Sequence, residues 1–211
     1  MTDILLPLLA FTAAAAVLTI TPGADTAMVL RTSTADGPRA GVATALGICL
    51  GLLVWGAGAA FGLTALLAAS ALGFTVLKWL GAAYLVYLGV RLLLRPRSAM
   101  AAGGVTSANR TGSLGAFRRG LLTNLLNPKV GVFYISFLPQ FIPHGVNVAA
   151  FSLLLAGVHV ALSLAWLCLL VALTVPLARV LSRPAVVRGL DRLTGCVFVG
   201  FGLRLALSEH P

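Results

Sequence analysis

The chain has 211 residues, of which 59% are hydrophobic and 9% charged, with a mean hydropathy of +1.02. A soluble domain carries about a quarter charged residues, so this composition excludes one and places the chain in a bilayer, where about 20 apolar residues per crossing allow six helices and no separate soluble domain. The formal charge of +10 does not point to nucleic acid, because the basic residues sit between apolar runs rather than on one polar face.

The first apolar run covers residues 4–30, with Pro7 near its start and Pro22 inside it. Its alanine-rich beginning resembles a signal-peptide core, but no Lys or Arg precedes Arg31, so it reads as a retained helix. A polar turn is expected over 31–39. The second run, 41–68, contains Gly47-x-x-x-Gly51 and Gly58-x-x-x-Gly62, a spacing that lets helix backbones approach closely. Packing is the ordinary reading of these glycines, and lining a pore is the other.

The third run spans 72–94, and residues 95–118 form a long basic loop rich in Gly, Ser and Ala. The fourth run spans 119–142, the fifth 147–178 and the sixth 190–208. With the N-terminus outside, twelve of the fifteen basic residues fall on inner connections, the exceptions being Lys78, Lys129 and Arg204. The positive-inside rule therefore predicts both termini outside.

Aligning 77–94 with 190–207 gives seven identities in eighteen positions, among them Gly89/Gly202, Val86/Val199 and Arg91/Arg204. Three helices per half is an odd number, so the halves run oppositely through the membrane. The expected fold is all-α: six transmembrane helices as two inverted three-helix repeats, about 4–94 and 119–208, with proline-broken first and fourth helices.

The residues with chemical potential cluster at the two breaks. Pro128 cannot donate a backbone hydrogen bond and frees the carbonyl of Asn124, while Pro22 frees that of Leu18. Lys129 sits beside the second break, and a mid-membrane charge costs about 2.5–3.5 kcal/mol on insertion scales, so a chain that keeps one has a use for it. Asp25 follows Pro22 by three positions and is the one acid well inside an apolar run. It could exchange a proton or hold a cation; the plainer alternative is a helix cap, as snorkelling to an interface is for Lys129.

Thr21, Pro22, Gly23, Asp25, Asn124, Asn127, Pro128 and Lys129 together suit a zwitterion: a carboxylate for Lys129 and half-helix N-termini, an ammonium for Asp25 and freed carbonyls such as that of Leu18. His159 and Gln140 are further pore-lining candidates, with helix packing as the alternative for His159. No catalytic residues, metal site or cofactor are expected. Cys49, Cys168 and Cys196 lack CxxC spacing and lie away from the breaks, which argues against a membrane thiol oxidoreductase. A homodimer is compatible with the sequence.

Thr21-Pro22-Gly23-Ala24-Asp25, with Asn127-Pro128-Lys129 running into Phe137-Leu138-Pro139-Gln140-Phe141, resembles the LysE/RhtB family of amino-acid exporters over essentially the whole chain. Ala24 stands where that family usually has a second proline. The resemblance implies proton-driven export of amino acids or related small metabolites across a bacterial inner membrane. A cation exporter of similar six-helix plan is the alternative, and more intramembrane carboxylates would favour it.

Overall fold

A computed structural model describes residues 2–69, 71–96, 112–174, 179–180 and 183–207. Most of the expected basic loop, the end of the fifth run at 175–178, and residue 208 lie outside them. The regular elements among the described residues are all helical. They are α1 (Thr2–Ile20), α2 (Ala24–Asp36), α3 (Pro38–Ala69), α4 (Ala71–Leu94), α5 (Ser113–Leu125), α6 (Pro128–Val132), α7 (Val148–Ala172) and α8 (Pro184–Leu207). Between α6 and α7 the chain passes through a π-turn, Phe133–Phe137, and a 3-10 turn, Leu138–Phe141.

Two single helices are long and apolar enough to cross a membrane, Pro38–Gly62 of α3 and Val148–Ala172. Two bent pairs qualify jointly: Ile4–Ile20 with Ala24–Asp36, inclined at 49°, and Ser113–Leu125 with Pro128–Phe141, at 51°. Counting each pair as one span gives four. Both expected proline breaks are therefore present, with nearly equal bends.

Three boundaries differ from the hydropathy reading. The expected polar turn at 31–39 is largely helix: α2 continues to Asp36, and the reversal is confined to Gly37 at φ 92°, before Pro38 starts α3. The Thr34 hydroxyl donates back to the Leu30 carbonyl at 2.9 Å, while Thr32 and Ser33 turn to the buried face, the Ser33 hydroxyl without a hydrogen-bond partner. Helix α5 begins at Ser113 rather than 119, with Ala116, Gly120 and Asn124 on its buried face. Helix α8 begins at Pro184 rather than 190, burying Val187, Asp191, Thr194 and Phe198 at helical spacing. In each case polar residues within the helix lower the local hydropathy and hide it from a hydropathy window.

Glycines set the closest approaches. A Cβ on Gly47 would collide with the Phe117 carbonyl, and one on Gly120 with that of Thr44, so α3 and α5 pack backbone to backbone. The second glycine pair behaves differently, since a Cβ on Gly58 or Gly62 would meet nothing within 4 Å. Packing thus accounts for Gly47 and Gly51 but not for Gly58 and Gly62, which line a groove with Trp55 and Ile135.

Helices α4 and α8 pack reciprocally. A Cβ on Gly89 would lie 2.7 Å from Val199 Cγ2 and 2.8 Å from the Gly195 carbonyl. One on Gly202 would lie 2.8 Å from Val86 Cγ2 and 3.0 Å from the Ala82 carbonyl. Adding 113 to 82, 86 and 89 gives 195, 199 and 202, so aligned positions exchange roles across one contact.

The main core is aromatic. Phe11, Phe133, Phe137, Phe141 and Phe198 are all buried, with Phe133 and Phe137 stacked at 4.9 Å and Phe11 edge-on to Phe141 at 5.5 Å. The π-turn inserts an extra residue into the helical register. That extra residue lets Phe133, Tyr134, Ser136 and Phe137 all be buried within five positions.

Candidate functional site

The site is built where the two breaks meet. At the first, Pro22 has no N–H for the Leu18 carbonyl, and the extended backbone of Gly23 (φ −154°, ψ −163°) starts a new helix, leaving the Thr21 carbonyl beyond the reach of α1. Both oxygens face the same cation: Lys129 Nζ donates to the Leu18 and Thr21 carbonyls, each at 3.0 Å. A cation at a helix C-terminus is favoured by the helix dipole as well as by the hydrogen bonds. Gly23 lies against this ammonium, a Cβ there making ordinary contact with Lys129 Nζ at 3.4 Å.

The second break closes from within. Asn127 Oδ1 accepts from the Lys129 backbone N–H at 3.1 Å, capping α6, and Pro128 occupies the first helical position where no N–H is missed. The Asn124 carbonyl accepts from the Asn127 N–H at 3.0 Å and from Trp55 Nε1 at 3.4 Å.

Asp25 lies in the first turn of α2, and its Oδ2 accepts from Asn124 Nδ2 at 2.9 Å. Gly23 rather than Asp25 is the N-cap of α2, and Asp25 sits two positions further in, in the first turn, where its charge also complements the helix N-terminus. The other carboxylate oxygen, Oδ1, is buried with no fully formed hydrogen bond, its nearest support being the Asn127 amide and the Lys129 charge, and Asn124 Oδ1 and Asn127 Nδ2 are likewise left without a formed bond. Native interiors leave few such atoms, and here three surround one spot. Room for the Asn124 carboxamide comes from Gly51, where a Cβ would stand 2.5 Å from Oδ1.

Thr21, Gly23, Asp25, Asn127, Lys129 and His159 all line a single cavity of about 30 Å³. That leaves room for only a few waters, so in this conformation the site is too narrow to hold an amino acid. Pro22, Asn124 and Pro128 shape the cavity without lining it. His159 is buried, its Nδ1 3.2 Å from the Tyr134 hydroxyl and its ring stacked on Tyr134 at 5.6 Å. It is thus both a packed, bonded histidine and a cavity wall. Gln140 lies away from the cavity, donating to the Ser136 carbonyl at 2.9 Å.

Sequence reasoning gave the Leu18 carbonyl to a solute ammonium, whereas the chain's own ammonium holds it. It also missed Thr194, whose hydroxyl lies 2.6 Å from that of Thr21. Thr21 spends its proton on the Val17 carbonyl at 2.6 Å, so Thr194 is the donor between them. Ser163 stands 3.5 Å from Thr19 across the same cavity. Asp191, fully buried on α8, is a second interior acid beside Asp25. Its flanking arginines made it look like part of a polar connection.

A known family, described as LysE type translocator, matches residues 16–209. The chain belongs to the LysE family of translocators. Among its relatives is an uncharacterised membrane protein of Bacillus subtilis, YrhP, 34% identical over 95% of this chain and 99% of its own length. A leucine efflux protein of an Enterobacter species is 31% identical, with 90% of each chain covered. A homoserine/homoserine lactone efflux protein of Salmonella typhimurium is also 31% identical, with 92% of each covered. No solved structure matches the chain. Family membership and the apolar helices together make this a multi-pass membrane translocator, and its relatives point to transport rather than enzyme catalysis.

Proposed function

We propose that the chain is a secondary exporter of amino acids or related small zwitterionic metabolites, acting by proton antiport with alternating access. The observation that carries this reading is the incompletely bonded Asp25 Oδ1 in the same cavity as the Lys129 ammonium, between two bent helices. A solute ammonium completes the hydrogen bonding of Asp25, and its carboxylate draws on Lys129 and on neutral amides such as Asn127. The efflux relatives support the direction of transport. Both charges come from one chain, so the reading holds for a monomer and a homodimer alike.

Asp25 provides the coupling. Facing the cytoplasm it loses its proton and takes the solute ammonium; facing outward, an incoming proton neutralises the carboxylate and releases the solute. The architecture that serves this is six spans in two inverted repeats rocking against each other, with both termini outside the inner membrane. The matched bends of 49° and 51° and the reciprocal Gly89/Gly202 packing support it. Lys129 counts against cation export, because a protein ammonium already occupies the freed carbonyls that would ligate a transported cation.

The test is flux in proteoliposomes loaded with candidate amino acids under an imposed proton gradient. Wild-type protein is expected to exchange solute for protons, and Asp25→Asn to lose the coupling. Full proton-coupled exchange by Asp25→Asn removes that residue from the mechanism.

A further inference from the structure

A second cavity, of about 270 Å³, opens between α2 and α5, one helix flanking each break. Its charged walls are Arg31, Arg119 and Asp36, and its apolar walls include Met28, Leu122 and Leu126. It adjoins the central site by helical register: Met28 and Thr32, both in its lining, follow Asp25 by three and seven positions along one face of α2. On α5 its Thr123 precedes Asn124, the residue bonded to Asp25. The positive-inside reading places Arg31 and Arg119 on the cytoplasmic side.

We propose that this cavity is a staging site for amino acids with an aliphatic side chain, occupied from the cytoplasm before the solute reaches Asp25 and Lys129. The inference rests on the exporter reading and adds a second site and a solute class to it. Guanidinium groups and one carboxylate match the two ends of a zwitterion, which would exchange with the partners Arg31 and Asp36 already have in the chain, and Asp36 makes the cavity less suited to a purely anionic headgroup. The methionine and leucines match an aliphatic side chain.

The central cavity has the same division. Asp25 and Lys129 stand at its polar end, while Ile48, Leu52, Val130 and Leu167 line the rest. Among its described lining residues Asp25 is the one acid. A solute that commits its α-ammonium to Asp25 therefore has no carboxylate left for a second cationic group, which disfavours lysine relative to leucine once the cavity opens.

The experiment is alkylation of a single introduced cysteine, Thr123→Cys, in the full chain in nanodiscs, read peptide by peptide by mass spectrometry. The alkylation rate of the same variant after detergent denaturation is the internal reference, and Leu126→Cys, at an exposed position, is a second reporter. Leucine at saturating concentration is expected to slow alkylation at least tenfold, with lysine, leucinamide and N-acetyl-leucine giving less than a threefold effect. Arg119→Gln is expected to abolish the protection by leucine. The inference is overturned if leucine protects neither reporter, if leucinamide protects equally, or if protection follows the phosphatidylglycerol content of the nanodisc instead, which would make the cavity a lipid site. None of these readouts needs transport, so a failure of the exporter reading shows separately, as absent flux.

Discussion

The two proline breaks are built alike and stabilised differently. At Pro128 most of the closure is local: Asn127 caps α6 and its N–H takes the Asn124 carbonyl at 3.0 Å, with Trp55 of the other half adding only a longer bond at 3.4 Å. At Pro22 the two orphaned carbonyls depend on an ammonium from the other half of the chain, at 3.0 Å to each. The second break is therefore a fixed support, and the first is held by a contact that a solute can compete for. A carboxylate that attracts Lys129 loosens the grip on the end of α1, so solute binding and the α1–α2 bend are coupled through one side chain.

Lys129→Met gives the largest expected effect, because it strands both carbonyls and removes the cation from the cavity. Truncating one partner of a buried hydrogen-bonded charge costs about 2–5 kcal/mol, which corresponds to about thirtyfold or more in solute affinity. Binding of radiolabelled leucine to purified protein checks it. Affinity within threefold of wild type would mean that the first break does not depend on Lys129 at all.

Gly51→Ala comes next. The new Cβ would sit 2.5 Å from Asn124 Oδ1 and 2.9 Å from its Cβ, pushing away the carboxamide that holds Asp25. Overpacking of this kind costs about 1–3 kcal/mol, and thermal unfolding in detergent should show it together with reduced flux. Gly58→Ala is the matched control, since nothing lies within 4 Å of its Cβ, and it should unfold at the wild-type temperature.

The contrast between the breaks also marks how far the sequence could be read. Prolines and isolated charges in apolar runs are conspicuous, so both breaks, Asp25 and Lys129 were legible. Which ammonium takes the Leu18 carbonyl was not, because Leu18 and Lys129 are 111 residues apart and only the fold brings them together. Thr194 and Ser163 were missed because one hydroxyl in an apolar helix looks like packing, and Asp191 because Arg188 and Arg192 lower the local hydropathy. The π-turn at Phe133–Phe137 has no local signature; it arises where four aromatic or polar side chains must turn inward within five residues.

Asn127→Ala is expected to have the smallest effect, and its smallness is informative. Removing an Asn cap costs about 0.5–2 kcal/mol, and here the backbone carbonyl of Asn127 still accepts from the Val130 and Gly131 N–H groups, each at 3.1 Å. Pro128 continues to fix the first helical φ, so the second break should survive. Thermal unfolding should therefore shift by only a few degrees, with solute affinity falling less than tenfold as the amide facing the cavity is lost. A collapse as severe as that of Lys129→Met would mean that the second break is not self-supporting, and that both breaks rest on contacts made between the halves.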